Sequence, residues 1–285
     1  MKQICLTGFA DEISADFSIQ LSTMKSLGFT HTEVRGVDGK GMDTYSVSEA
    51  RLIKKRLDDM GMKVSSLASP IGKYDIDQPF AIHFEHMKHV VELAHILETP
   101  YIRMFSFFMP KHQDPNVWTD EVLKRMDAIV SYEGLAGITL LHENEKGIYG
   151  DTAARCKLLM DSFAGKPLRM AFDFANFIQC GEDTLPAYEL LKEYIGYVHI
   201  KDAKADTGVI VPAGTGDGQI EEILRRLQVQ GYRGFLSLEP HLTEFEGLKG
   251  LERDGQSLKG MTSLSGADAF SLALTSLKSV LARIS

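Results

Sequence analysis

The sequence predicts an α/β chain folded as a (β/α)8 barrel, the TIM-barrel architecture. Three observations carry that expectation. A short β-branched or aromatic run, bounded by Gly or Pro on one side and by polar residues on the other, recurs eight times in 285 residues, and a helical stretch follows each run. Strict alternation of strand and helix implies parallel pairing, because a parallel return needs a crossover of about a dozen residues or more, usually a helix. The chain has no GxGxxG turn after its first strand and no linker rich in Pro, Gly or Ser. An open dinucleotide-binding sheet and a two-domain chain are therefore disfavoured, and residues 1–285 read as one barrel domain.

Taken in order, the first strand lies in QICLTGFADE. Phe17, Leu21, Met24 and Leu27 then share one helical face, and Gly28 stops that helix. LGFTHTEVRG holds the second strand; the helix after it is expected to turn Leu52, Ile53, Leu57 and Met60 to the core and to end at Gly61. MGMKVSSLAS is the third strand, with a helix near 80–98, and ETPYIRMFSF the fourth, with a helix near 116–134. AGITLLHENE, KPLRMAFDFAN and IGYVHIKDAK follow as the fifth to seventh strands, with helices near 151–163, 184–194 and 219–230. YRGFLSLEPH is the eighth strand and 266–284 the last helix. Between them lies one long irregular segment, 241–269, expected to be a lid or an oligomer contact, since so long a loop in a compact domain is usually functional or mobile.

Composition narrows the function. A formal net charge of −8 and a pI near 5.6 give no basic footprint, which disfavours nucleic acid as a partner. No apolar run approaches the roughly 18 to 20 residues that cross a bilayer, so no membrane association is expected. Asp11 and Glu12 follow the N-terminal apolar run too closely for a secretory signal. Cys5, Cys156 and Cys180 are odd in number and form no CxxC pair, so they read as reduced thiols in a cytoplasmic protein.

In a barrel, the C-terminal ends of the strands and the loops after them form the active face. Those ends in the last four units carry Glu143 after ITLLH, Asp173 after RMAF, His199 after YV and Glu239 after FLSL, spaced by 30, 26 and 40 residues. Adjacent strands lie about 4.8 Å apart, so four side chains at matching heights converge. Three carboxylates at the mouth of an apolar barrel repel one another, and a divalent cation is the simplest neutraliser. His142 alternates to the other side of its strand and reads as a structural, partly buried histidine, with Asn144 and Glu145 as supporting or loop residues.

Other charged positions stay open between two readings. Glu33 and Arg35 in HTEVRG and Arg103 in YIRMFS stand near the ends of strands 2 and 4, either to bind substrate hydroxyls or a carboxylate, or to form ion pairs within the barrel. Lys201 and Asp202 in HIKDAK would orient His199, touch substrate, or lie exposed on a loop. The glycines of AGTGDG read as shaping a turn before the seventh helix rather than as a phosphate cradle.

In GFTHTEVRG, LLHEN, FDFAN and the block from VHIKDAK through VPAGTGDGQIEEILRRL to GYRGFLSLEPH, the chain resembles the xylose isomerase-like TIM barrels. That group includes sugar-phosphate isomerases and epimerases, inosose dehydratases and the endonuclease IV group. The resemblance covers essentially the whole chain, and its last block is specific in order and spacing. It implies one metal ion held by Glu143, Asp173, His199 and Glu239, and it assigns proton transfer to Glu143 and Glu239. Three oxygens and one nitrogen suit Mn2+ first, with Mg2+, Co2+ or Zn2+ also compatible. Asn176 stands where several relatives carry a histidine, and is grouped with the substrate-contacting residues. The trinuclear zinc site of endonuclease IV-like hydrolases implies further histidines, where this chain has Ser69, Phe105 with Ser106, and Asn176; VPAGTGDGQ also lacks the DxH.

The resemblance therefore implies a metal-dependent isomerase or epimerase of a sugar or sugar phosphate, working by proton abstraction next to a carbonyl through a stabilised enediolate. Returning the proton to the same carbon inverts a centre, and moving it to the next carbon interconverts aldose and ketose. Expelling a β-hydroxyl makes the alternative, an inosose-type or related polyol dehydratase. A barrel that merely binds carbohydrate would not need so many convergent acids. The expected partner is a small sugar or polyol, and a homo-oligomer is left open.

Overall fold

Each of the eight sequence segments forms a strand of one parallel sheet in the computed structural model, which describes residues 4–246, Leu248 and residues 260–284. The strands are β1 (Cys5–Gly8), β2 (His31–Val34), β3 (Lys63–Ala68), β4 (Tyr101–Met104), β5 (Thr139–Glu143), β6 (Leu168–Asp173), β7 (Ile195–Ile200) and β8 (Phe235–Leu238). They pair in the order β1-β8-β7-β6-β5-β4-β3-β2. The free edges of β1 and β2 meet through a parallel bridge between Phe9 and Glu33, and the Thr32 hydroxyl donates to the Gly8 carbonyl at 3.3 Å. The sheet is thus a nearly closed (β/α)8 barrel.

The surrounding helices are α1 (Phe17–Ser26), α2 (Val47–Asp59), α3 (Phe80–Ile96), α4 (Thr119–Val130), α5 (Ala153–Ser162), α6 (Phe174–Gln179), α7 (Thr184–Leu191), α8 (Ile220–Val229) and α9 (Gly266–Ile284). Local sequence explains their starts. Asp16 accepts from the backbone N–H groups of Ser18 and Ile19, and Ser46 with Glu49 forms a reciprocal capping box, so orphan donors of the first turn are satisfied. The α4 region is shorter than expected, because 3-10 turns at Pro115–Trp118 and Glu133–Leu135 flank it. In α2, Ile53 and Leu57 are buried as expected, but Leu52 is 65% exposed. The buried stripe runs through Ala50, Ile53 and Leu57, and a residue one position off that stripe is rotated about 100° away from it.

The barrel separates two apolar regions. Outward strand residues such as Met104, Leu140, Phe172 and Val198 join the helices in the main core. Inside, Leu141, Ala171 and Tyr197 form a plug with Tyr101 and Phe235 packed against it. Two residues further along the same strands, one pleat period, come Arg103, Glu143, Asp173, His199 and Ser237. A polar layer lies near this level: Thr7 and Ser65 are hydroxyl to hydroxyl at 2.8 Å, and Ser65 and Tyr197 at 3.0 Å. The apolar filling of the barrel thus gives way to polar side chains at the level of the strand ends.

The irregular segment after β8 is anchored at both described ends: Thr262 N–H donates to the Leu242 carbonyl at 2.7 Å, and the Thr243 hydroxyl to the Leu264 carbonyl at 2.8 Å. Residues 247 and 249–259 of the expected lid lie outside the described residues. No helix among the described residues is long and apolar enough to cross a membrane.

The loops after β3 and β4 pair with each other above the barrel. Phe105 N–H donates to the Ile71 carbonyl at 2.7 Å and Phe107 N–H to the Gly72 carbonyl at 2.8 Å. Gly72 has a φ of +81°, and a Cβ there would stand 2.0 Å from the Phe105 carbonyl oxygen. Both the left-handed backbone and the close approach demand glycine. Gly72→Ala is expected to destabilise the fold by about 2 kcal/mol or more in urea unfolding, because backbone rather than a flexible side chain is in the way. A change under about 0.5 kcal/mol would show that the loop relaxes freely.

Candidate metal centre and active site

Glu143 and Asp173 end β5 and β6, His199 is next to last in β7, and Glu239 follows β8 directly. Asp173 is the Cα partner of His199, and His199 of Ser237, so the strand register itself sets these groups side by side. One ligand atom from each of Glu143, Asp173, His199 and Glu239 lies within 4.8 Å of all the others. None of the four is more than 3% exposed.

Opposite charges surround each member. His199 Nδ1 is 2.9 Å from Glu143 Oε1 and 3.7 Å from Glu239 Oε2. Its Nε2 is 3.3 Å from Glu33 Oε2, which also accepts the Ser237 hydroxyl at 2.6 Å. Arg103 places a guanidinium nitrogen 3.3 Å from Glu143 Oε2, while Arg35 donates to Glu239 Oε1 at 3.1 Å. Lys201 puts its ammonium 3.1 Å from Asp173 Oδ2 and 3.0 Å from Glu239 Oε2.

These contacts divide the acids. Burial alone would raise Glu143, but the charges of His199 and Arg103 and the hydrogen bond to His199 bring it down to about 2. Glu239 is held well below the ordinary carboxylate range: burial opposes this, and Lys201, His241 and His199 outweigh it. Asp173 goes the other way. Burial pushes it up, Lys201 compensates only in part, and the neighbouring Glu143 and Glu239 push it further, to about 7. His199 is raised well above its ordinary value, because Glu143 and Glu33 outweigh the desolvation that would lower it.

A cavity of about 270 Å³ opens beside this cluster, with Arg35, Arg103, Lys73, Asp11, Phe245 and Glu246 among its lining residues. Of the six residues expected at the substrate, Arg35 and Arg103 line it, and Glu33, Asn176, Lys201 and Asp202 do not. Glu33 instead holds His199 from below, an ion pair within the barrel. Asn176 donates from Nδ2 to the Asn144 carbonyl at 2.9 Å and reaches Glu143 Oε1 at 3.4 Å, while its backbone N–H caps onto Asp173 Oδ1 at 2.7 Å. Asn144 in turn donates to the Asp173 carbonyl and accepts the Asp173 N–H. Lys201 is 5% exposed, so it is not a loop charge.

Asp202 departs furthest from expectation. Its carboxylate accepts the backbone N–H groups of Ala203, Gly214, Gly216 and Gly218, at 2.9 to 3.0 Å. A Cβ on Gly216 would lie 2.3 Å from Asp202 Oδ1, so the glycines of AGTGDG let the loop close around this side chain. His142 is fully buried rather than partly. It pairs with the Ser106 hydroxyl at 2.9 Å, and burial lowers it to about 4. Glu145 pairs with Lys73 at 3.1 Å at the cavity wall.

Several site residues were not anticipated. Phe9 stacks under both guanidinium groups, 4.5 Å from Arg35 and 5.4 Å from Arg103. Asp11 binds Arg35 at 2.8 Å, and Glu12 with His241 flanks Glu239. Phe9 and His241 lie two residues beyond Thr7 and Glu239, a period-two signal available in the sequence.

The donor set fits one divalent ion. Asp173 Oδ2 is a buried acceptor that receives no hydrogen bond. Metal–oxygen bonds of about 2.1 Å put neighbouring donors about 3 Å apart and opposite donors about 4.2 Å apart, within the spread seen for these four. A carboxylate that fixes the second nitrogen of a ligating histidine, as Glu33 does for His199, commonly supports such sites.

Residues 21–262 match the family model described as xylose isomerase-like TIM barrel. A search of curated proteins by sequence finds no match. Among solved structures, an L-ribulose 3-epimerase is similar with a TM-score of 0.77 at 17% identity, covering 99% of this chain and 96% of its own. D-allulose 3-epimerase from Methylomonas sp., in complex with D-allulose, gives 0.74 at 16% identity, covering 99% and 98%. A probable 3-DHS dehydratase involved in petrobactin synthesis in Bacillus anthracis gives 0.70 at 16% identity, covering 95% and 99%. At these identities the likeness is one of fold.

The position of Asp173 sets a pH dependence. In the unfolded chain it ionises near 3.8, whereas in the fold it keeps its proton up to about 7. The stability contributed by its neutral form is fully present below about pH 4 and is lost as the pH rises through 7. Asn in its place keeps the cap on α6 and never ionises. In chelator, the stability of Asp173→Asn relative to the parent should rise by about 1 to 3 kcal/mol between pH 4 and 7.5 in urea unfolding. A difference independent of pH would show that Asp173 is not strained by its neighbours.

Proposed function

The chain belongs to the xylose isomerase-like TIM-barrel family, and from that premise we propose that it is a divalent-metal-dependent isomerase or epimerase of a small sugar. One observation carries the reading: Glu143 and Glu239 each turn one oxygen to the metal side, by His199, and the other to a guanidinium that lines the cavity. Both carboxylates therefore reach from the centre to the place where a substrate would lie. Mn2+ held by Glu143, Asp173, His199 and Glu239 would supply Lewis-acid polarisation of a carbonyl, which makes the neighbouring C–H more acidic.

The remaining steps belong to the chain's own side chains. His199 and Arg103 keep Glu143 ionised, and Lys201, His241 and His199 keep Glu239 ionised, so each starts as a base. A carboxylate as acidic as Glu143 is a poor base toward carbon, and proton transfer works best when its pKa lies near the working pH. Substrate hydroxyls that draw Arg35 and Arg103 onto themselves would loosen their hold on the glutamates and raise the basicity of both. One glutamate then takes the proton from the carbon beside the carbonyl, and the other delivers to that centre a proton it has taken up from solvent, the first releasing its own to solvent to close the cycle. The similar folds of sugar 3-epimerases support this assignment of class. Free Cys5, Cys156 and Cys180 support a reducing, cytoplasmic setting.

Incubated with Mn2+ in D2O against a panel of ketoses, inososes and sugar phosphates, the protein should place deuterium on one carbon next to the carbonyl of one member. Chelation should abolish the exchange, and Glu143→Gln and Glu239→Gln should each slow it by about 10² to 10⁴ with the circular dichroism unchanged. Exchange that persists in both variants overturns the assignment. Loss of water from an inosose, with no exchanged product returned, selects the dehydratase instead.

A further inference from the structure

The geometry points to Lys201 as a resident counter-cation that competes with the divalent ion for Asp173 and Glu239, and so sets how tightly the centre holds it. This rests on the metal reading above. Its ammonium lies against Asp173 Oδ2 at 3.1 Å and Glu239 Oε2 at 3.0 Å, and both residues belong to the convergent quartet. The contact to Glu239 is a hydrogen bond, whereas Asp173 Oδ2 receives no hydrogen bond and keeps its lone pairs for a cation.

The two guanidinium groups of the site bind other oxygens. Arg35 holds Glu239 by Oε1, on the cavity side, and Arg103 holds Glu143 by Oε2. Among the described residues, Lys201 alone forms an ion pair with Asp173. Its position follows from β7: Lys201 is two residues past His199, so the pleat sends both side chains inward. Two cations drawn to the same oxygens repel each other strongly in a site that excludes water. An ion that enters must therefore push the ammonium aside, and so it binds less tightly than the four donors alone would allow. Beyond the centre itself, Glu145, paired with Lys73 at the cavity wall, is the further carboxylate whose charge acts on Lys201.

Calorimetric titration of chelator-stripped, dialysed protein with Mn2+ tests this directly. Lys201→Met, with no charge to compete, should bind Mn2+ about tenfold or more tightly than the parent, and Lys201→Arg, which keeps the charge, should stay close to the parent. Should the neutral variant fail to fold, crystals of the parent soaked in Mn2+ answer the same question: the ammonium should move beyond about 4 Å from both carboxylates. Equal or weaker Mn2+ binding by a folded Lys201→Met, or an ammonium that keeps both contacts beside a bound ion, overturns the inference and leaves the metal reading standing. A parent that binds no divalent ion overturns both.

Discussion

Four buried carboxylates, Glu33, Glu143, Asp173 and Glu239, crowd around one imidazole at the top of the barrel, and the repulsion among them governs this end of the molecule. Ionised carboxylates are retained out of water only when paired or bound to metal. The protein answers with Arg35, Arg103, Lys201 and His199, each set against at least two acids or against an acid and an aromatic face. Compensation is uneven. Glu143 and Glu239 face guanidinium, ammonium and imidazole groups and stay acidic, whereas Asp173 has one ammonium and two anionic neighbours. That unevenness is what makes a divalent ion a natural completion of the layer.

The geometry of the layer comes from the pleat. Along β4 to β8, Tyr101, Leu141, Ala171, Tyr197 and Phe235 plug the barrel, and the next inward position on each strand carries the polar group that builds the site. A rigid apolar plug below and the parallel register beside them hold these side chains far more firmly than loops would. The same parity turns His142 outward to Ser106 and Asp202 outward to the glycine loop. Function and scaffold thus alternate residue by residue on the same strands.

Parity also explains what the sequence disclosed. Glu143, Asp173, His199 and Glu239 could be read because each stands where an apolar run stops, about one βα unit after the last. The same rule, applied two residues further, marks Lys201 as inward and Asp202 as outward, although both were read as open alternatives. Leu52 was misplaced because an apolar residue next to a buried stripe shares its composition but not its angle. Glu12 was beyond reach for a different reason: it sits on the 3-10 turn Ala10–Glu12, where no period links side-chain direction to position. The pairing of Glu33 with His199 joins groups 166 residues apart in the chain, and only the closed barrel decides it.

The glycine loop before α8 bears on the kind of substrate that the proposed function would take. Backbone N–H groups converging from Gly214, Gly216 and Gly218 are what a phosphate would need, since such nests bind anions without any side chain. Here the chain's own Asp202 takes all three, at distances that leave no room for a second anion. A phosphorylated substrate would have to be held by cavity-lining cations instead, and these have partners: Arg35 with Asp11 at 2.8 Å, Arg103 with Glu143 at 3.3 Å, Lys73 with Glu145 at 3.1 Å and Lys40 with Glu49 at 3.9 Å. Paired charges around a small cavity present alternating donors and acceptors, which match the hydroxyls of a neutral sugar better than a dianion. The loop that looks most like a phosphate cradle therefore fits an unphosphorylated substrate within the proposed function.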